Sequence, residues 1–219
     1  MIVELRQYAL HPGKRDVLID LFEREFVESQ EAVGMTLIGQ FRDLDDPDRF
    51  AWLRSFPDME ARRRSLEAFY GGPVWQAHRG AANATMIDSD DVLLLRPLGG
   101  DPGLILGERG PRGSAGPGPG RVIGGVQDLT GADDPLPERF IHEEAAALRA
   151  AGAVSVSALV TAPVPNSFPR LPVREGEQVL VWFAVFADPA AADAVHALVP
   201  EPALQRLRLE PTARSRLHG

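Results

Sequence analysis

The sequence predicts an α+β fold made of two tandem β-α-β-β-α-β units whose sheets face each other as an α/β barrel. Three observations lead there. Residues 99–120 hold nine glycines and four prolines in 22 positions, a composition that buries little apolar surface, so they read as a linker joining a first domain, 1–98, to a second, 121–219. Within each half, stretches of period two alternate with stretches of period 3.6. Finally, Trp52-Leu53-Arg54-Ser55-Phe56-Pro57-Asp58 is echoed at an offset of 130 by Trp182-Phe183-Ala184-Val185-Phe186-Ala187-Asp188, and Leu93-Leu94-Leu95-Arg96-Pro97 at an offset of 114 by Leu207-Arg208-Leu209-Glu210-Pro211. The second unit is therefore a degenerate copy, short of the 16 residues around Tyr70 to Met86.

Each element of the first half has a local cause. Val3 to Leu10 alternates as a strand and His11-Pro12-Gly13 ends it. Val17, Leu18, Leu21, Phe22 and Phe26 recur at helical spacing from Lys14 to Glu31, with Gly34 placed to close the helix. Met35 to Arg42 and Phe50 to Phe56 form a hairpin across the acidic turn Asp45-Asp46-Pro47-Asp48. A helix from Asp58 to Phe69 sets Met59, Arg63 and Leu66 on one face, and Arg62-Arg63-Arg64 reads as a solvated helix surface rather than a phosphate patch. Gly71-Gly72-Pro73 breaks it, and Pro73 suits the first position of another helix through Ala84. Val92 to Arg96 is the last strand, and Asp88-Ser89-Asp90-Asp91 before it reads as a turn.

A split β-α-β sheet covers one face with helices and must pair the other. With Val3, Leu5, Ala51 and Leu53 toward the helices, Glu4, Arg6, Tyr8, Phe50, Trp52, Arg54 and Phe56 would face the opposing sheet as an aromatic, charged cleft. A second copy of the chain could also supply a paired surface, so a homodimer is a possible assembly beside the intrachain barrel.

The formal charge of −8 comes from 31 acids against 23 bases, and each half is acidic, which excludes a basic nucleic-acid module. No cysteine is present, so thiolate, disulfide and iron–sulfur chemistry are excluded. The longest apolar run, Val179 to Ala187, falls well short of the roughly 20 residues of a membrane span, and Met1 to Arg6 has no leader-like pattern; a cytoplasmic protein is expected. Lysine occurs once, at Lys14, and the arginine, alanine and glycine skew matches a GC-rich bacterial genome.

The segments Glu4-Leu5-Arg6-Gln7-Tyr8, His11-Pro12-Gly13-Lys14, Gly39-Gln40-Phe41, Trp52-Leu53-Arg54, Phe69-Tyr70-Gly71-Gly72-Pro73-Val74-Trp75, His78, Asn83 and Leu93-Leu94-Leu95-Arg96-Pro97 together give the first half its resemblance to the NIPSNAP family of the dimeric α/β-barrel superfamily. The resemblance implies a ferredoxin-like unit that pairs its sheet with another. That superfamily holds cofactor-independent monooxygenases, isomerases, polyketide cyclases, haem enzymes and non-catalytic ligand binders, so the fold does not choose among them.

The candidate chemistry rests on few residues. His78 lies one helical turn after Trp75 in the segment absent from the second half, and a histidine there would move a proton. Arg6 and Arg54 fall on one face of neighbouring strands and either orient a carboxylate or enolate oxygen or pair with Glu4 or an acid of the facing sheet. Tyr8, Trp52, Phe56, Tyr70 and Trp75 would stack on a planar organic ligand or serve as core. Neither acidic run has a calcium loop and His142-Glu143-Glu144 has no second histidine at helical spacing, so no metal is expected; the glycines form no dinucleotide fingerprint, so no cofactor is expected. The leading expectation is a small-molecule site performing cofactor-free isomerisation, cyclisation or oxygenation of an aromatic or polyketide-like compound. A non-catalytic ligand-binding or assembly module, and haem binding through a histidine, are the alternatives.

Overall fold

A computed structural model describes residues 1–100, 103–129, 136–198 and 204–219. The first half runs β1 (Ile2–Leu10), α1 (Arg15–Leu21), a π-helical turn (Phe22–Phe26), α2 (Val27–Glu31), β2 (Thr36–Asp43), β3 (Arg49–Phe56), α3 (Met59–Gly71), α4 (Pro73–Asn83) and β4 (Met86–Pro97). The second runs β5 (Arg121–Asp128), α5 (Leu136–Arg139), a π-helical turn (Phe140–Glu144), α6 (Ala145–Ala150), β6 (Ala153–Thr161), β7 (Val179–Phe186), α7 (Pro189–His196) and β8 (Gln205–Pro211). All neighbouring strands are antiparallel and their order is closed, β1-β3-β2-β8-β5-β7-β6-β4. The two joints between halves are short, Phe41 to Asp43 on Leu209 to Pro211 and Leu95 to Pro97 on Leu159 to Thr161. Closure gives every strand a neighbour on both sides, though at the two joints the pairing covers three residues of each strand.

The echo noticed in the sequence extends through the structure. Trp52 on β3 and Trp182 on β7 precede helices capped alike, with the Asp58 carboxylate accepting from Ala61 N at 2.7 Å and that of Asp188 from Ala190 N at 2.9 Å. Each tryptophan packs on a phenylalanine from a π-helical turn, Phe22 at 4.9 Å and Phe140 at 5.8 Å between ring centroids. The helix expected over Lys14 to Glu31 thus carries one extra residue per turn in its middle, which swings Phe22 and Phe26 onto the sheet; spacing alone does not reveal it. Pro73 opens α4 as expected, with Gly72 as its cap. The expected turn at Asp88–Asp91 is instead the start of β4, where Gln7 faces Asp91, Ala9 faces Asp88, and the register slips between them.

The assignment of the two sheet faces is reversed. Val3, Leu5, Ala51 and Leu53 point into the barrel, where they meet Val122, Val181, Phe183 and Leu207 of the second half. Glu4, Arg6, Tyr8, Phe50, Trp52, Arg54 and Phe56 are buried as well, and the aromatics among them pack under the helices with Leu18, Phe22, Phe26 and Phe69. A closed barrel of eight strands has room only for side chains and excludes water, so its inside takes the aliphatic set. The buried charges Glu4, Arg6 and Arg54 lie on the outer face, whereas the inward register includes uncharged polar groups such as Gln7, whose amide donates to Gln205 Oε1 at 2.8 Å.

The glycine-rich stretch does not hang free. Leu104 and Leu106 pack on the barrel core, Gly107 N donates to Arg216 O at 2.7 Å, and Gly118 N donates to Pro211 O at 2.7 Å. A Cβ on Gly110 would lie 2.3 Å from Ala213 O, so glycine is what lets the strap lie against the C-terminal tail. Its few apolar side chains are too sparse to show this in sequence; its backbone and its arginines, such as Arg109 on Glu31 at 2.6 Å, make the contacts. The tail itself closes the barrel end with the fully buried Leu217, whose N donates to Ile38 O at 2.8 Å. Truncating Leu217 to Ala should lower stability by about 2–5 kcal/mol, read from the urea midpoint at unchanged slope.

Candidate functional site

The outer face of the first half is organised by one carboxylate. β1 and β3 pair Glu4 with Arg54 and Arg6 with Trp52 across the ladder, so alternation sets all four side chains on the helix side. Glu4 accepts from Arg54 Nε at 2.7 Å, Arg62 Nε at 2.6 Å and Arg6 Nη1 at 3.1 Å, and none of the four side chains reaches solvent. Arg54 also donates to Gln30 Oε1 at 2.8 Å, and Arg62 to Asn166 Oδ1 at 3.0 Å and Ser167 Oγ at 3.1 Å. The Arg54 guanidinium lies 4.9 Å from the Trp52 ring and Arg6 5.5 Å from the rings of Tyr8 and Trp52, so aromatic faces receive much of the excess positive charge. Burial alone would push the Glu4 carboxyl up; the guanidiniums of Arg54, Arg6 and Arg62 outweigh it and hold the group well below the ordinary carboxylate range.

Beside this cluster a cleft of about 320 Å³ opens between α4, β1 and the segment after β6. Tyr8, Tyr70, Trp75 and Phe168 form aromatic walls, while Asn83, Gln76, Arg79, Ser89 and Arg170 supply polar groups. Tyr70 stacks on Phe168 at 5.9 Å and 20° and meets Trp75 edge-on at 4.9 Å. A small inner extension of about 30 Å³ continues from Tyr8, Tyr70 and Trp75 to Phe22, Gln30 and Trp52. The Tyr8 hydroxyl accepts from Arg6 Nε at 3.1 Å. Burial raises the Tyr8 phenol above its ordinary value, with Arg6 pulling partly the other way, so the group is a neutral donor near pH 7. A larger groove of about 770 Å³ runs along β4 and β6, and no candidate residue lines it.

Of the residues singled out in the sequence, Tyr8, Tyr70 and Trp75 line the cleft and Trp52 lines its inner extension. Phe56 lines neither, and its ring sits 5.5 Å from the Arg54 guanidinium. Arg6 and Arg54 pair with Glu4, the second of the two arrangements open to them in the sequence. His78 lines no part of the cleft: Nε2 sits 3.6 Å from Glu25 Oε2 and the ring meets Phe26 edge-on at 6.4 Å. Proton transfer by His78 in this cleft is accordingly not supported, because α4 turns Trp75 and Arg79 toward the cleft and His78 toward the π-helical turn Phe22–Phe26.

Sequence reasoning missed Arg62 and Phe168. Arg63 and Arg64 do face solvent and pair with Glu60 and Glu67, but Arg62 is fully buried with Ser65, Leu66 and Phe69, so the solvated reading of the three arginines is corrected at Arg62. The signal was present: 62, 66 and 69 share a helical face, and only a buried carboxylate makes an arginine tolerable there. Phe168 comes from the second half and had no signal, since it reaches the cleft only after the barrel closes.

The register shows what the second half lacks. Through the matching ladders, Glu4, Arg6 and Arg54 correspond to Ile123, Gly125 and Ala184, and helix position 62 corresponds to the buried Ala192. A Cβ on Gly125 would lie 2.7 Å from Trp182 Nε1, so there the tryptophan occupies the space of an arginine. Only the first half carries the charged cluster.

Residues 3–99 match the NIPSNAP family model. The first half is a NIPSNAP domain. No curated protein sequence matches the chain. Among solved structures, an uncharacterized NIPSNAP-like domain protein from Burkholderia xenovorans is 30% identical over 47% of this chain and 90% of its own, with a TM-score of 0.43. Two structures extend beyond the NIPSNAP domain: a provisionally named monooxygenase from Lactobacillus acidophilus, 15% identical over 98% of this chain and 96% of its own at a TM-score of 0.59, and another from Fusobacterium nucleatum, 9% identical over 96% and 91% at 0.58. At such identities they share the mixed α/β fold with its large antiparallel sheet. Among the described residues no three His, Asp or Glu side chains are placed to hold a metal ion, and no helix is long and apolar enough to cross a membrane.

Glu4→Gln leaves three guanidiniums of the NIPSNAP domain buried without a carboxylate and should cost about 3–5 kcal/mol in a denaturant titration. The pH dependence follows from the lowered Glu4 value. Its contribution is complete above the unfolded carboxyl value of about 4.3 and is lost as pH falls toward the folded value. Melting temperatures measured between pH 6 and pH 2 should therefore drop less steeply in Glu4→Gln than in the parent protein.

Proposed function

We propose that this chain is two ferredoxin-like domains in tandem, closed on each other in the manner of a dimeric α/β barrel, and that the NIPSNAP domain binds a small planar organic ligand in the cleft between Tyr8, Tyr70, Trp75 and Phe168. The aromatic walls carry this reading: about 320 Å³ suits a molecule of two or three fused rings, and edge and face contacts with four rings select a flat one. The matching registers and paired tryptophans of the two halves support the tandem reading, as do neighbours that share the fold over nearly the whole chain. The partner is a small molecule rather than nucleic acid or a membrane, in keeping with the acidic halves.

A reaction on that ligand would be cofactor-independent isomerisation, cyclisation or oxygenation of an aromatic or polyketide-like compound; of these, the provisional names of the two full-length neighbours point to oxygenation alone. The cleft's own contribution would be to orient a flat substrate and donate hydrogen bonds from Tyr8 and Asn83. One observation favours the second reading, a ligand-binding module without proton transfer of its own: neither histidine nor carboxylate lines the cleft. Haem finds no axial histidine there.

Titration with 2-naphthol and larger fused-ring phenols, followed by tryptophan fluorescence, tests the site. Trp75→Ala should weaken binding about tenfold, roughly 1.4 kcal/mol, while Trp182→Phe in the second half leaves the titration unchanged. Failure of the whole panel to bind, or equal binding by Trp75→Ala, would overturn the proposal.

A further inference from the structure

Three features of the cleft share one electrostatic sense. The Tyr8 hydroxyl accepts a hydrogen bond from Arg6 Nε at 3.1 Å and, among the described residues, gives its own hydrogen to no acceptor. A phenol has one hydrogen to donate, and Tyr8 lines both the cleft and its inner extension. Behind it the buried cluster holds three guanidiniums against the single carboxylate of Glu4, with Arg54 Nη2 and Arg62 Nη2 buried and unpartnered. Arg6 also reaches Ser89 O at 3.5 Å, and Ser89 is part of the cleft wall. At the mouth stand Arg79 and Arg170; in a chain of net charge −8, the cleft lining contains two arginines and no acid.

We propose that the ligand of this cleft is an organic anion, a planar carboxylate, phenolate or enolate, whose charged oxygen takes its hydrogen bond from Tyr8 while Arg6 polarises that phenol from behind. The proposal rests on the reading of the cleft as a ligand site and names the ligand's chemical class. Tyr8 is the residue that touches the ligand, and Arg6 is a positioning residue acting through it. An unpaired buried positive charge raises the affinity for an anion more than for a neutral molecule of the same shape, because the low dielectric of the site strengthens the attraction. The same arrangement stabilises negative charge that builds on a ring oxygen during a reaction, since the donor is in place beforehand. In the second half Tyr8 corresponds to Gln127 and Arg6 to Gly125, so the matching position there lacks both the phenol and the guanidinium.

The pair 2-naphthoate and 2-naphthamide has one shape and two charges. Isothermal titration at pH 7 on the full chain should show the acid binding at least about tenfold tighter than the amide. Tyr8→Phe retains the ring packed on Phe50 and Trp52 and should weaken the acid about tenfold while changing the amide by less than about threefold, with a cooperative melting transition well above the titration temperature as the control for folding. The surface double variant Arg79→Gln, Arg170→Gln, which touches nothing in the buried cluster, should lower the acid-to-amide ratio several-fold. Equal affinities for acid and amide, or a ratio untouched by Tyr8→Phe, would keep the cleft and overturn the anion. Failure of both probes to bind, together with the fused-ring phenols, would overturn the cleft reading itself.

Discussion

Closure of the eight strands is the constraint on which everything else depends. Once β2 meets β8 and β4 meets β6, one face of each strand is covered by the opposite wall of the barrel, and helices cover much of the other. The barrel inside is packed with apolar side chains such as Val3, Leu5, Val181, Phe183 and Leu207, surroundings in which an unpaired charge would be costly. Glu4, Arg6 and Arg54 are therefore confined to the outer face, where α3 adds Arg62 and the aromatic rings spread the surplus charge.

The two halves divide the work unequally. The NIPSNAP domain keeps the charged cluster, α4 and the aromatic walls, whereas the second half fills the same positions with Ile123, Gly125, Ala184 and Ala192. Its own use is to close the barrel and to reach across it: Asn166 and Ser167 are held by Arg62, which sets Phe168 on Tyr70. Glu4 is thus linked through one arginine to the wall of the cleft contributed by the other half, and loss of that carboxylate disturbs both the sheet and the mouth of the site.

Much of this was legible in residue order. The Trp-x-x-x-Phe-x-Asp echo identified equivalent strands and helix caps, Pro73 marked α4, and Tyr8, Tyr70 and Trp75 were already candidates for a flat ligand. Other features depended on distance. Period-two alternation separates two faces without saying which one looks inward, so the polar face was set on the wrong side. His78 and Trp75 lie close in sequence but point apart once α4 is docked. Arg62 sat in a run of three arginines whose neighbours are solvated, and burial of one of them is fixed by Glu4, 58 positions away.

By itself the sequence determined the order of elements, the echo between the two halves, the acidic and thiol-free composition and three of the aromatic residues that line the cleft, because these follow from local periodicity and composition. Only the tertiary structure decided the rest: which face of the sheet is dry, that three guanidiniums share Glu4, and that Phe168 of the second half completes a cleft in the first. Those outcomes depend on contacts between residues far apart in the chain, and only barrel closure brings them together.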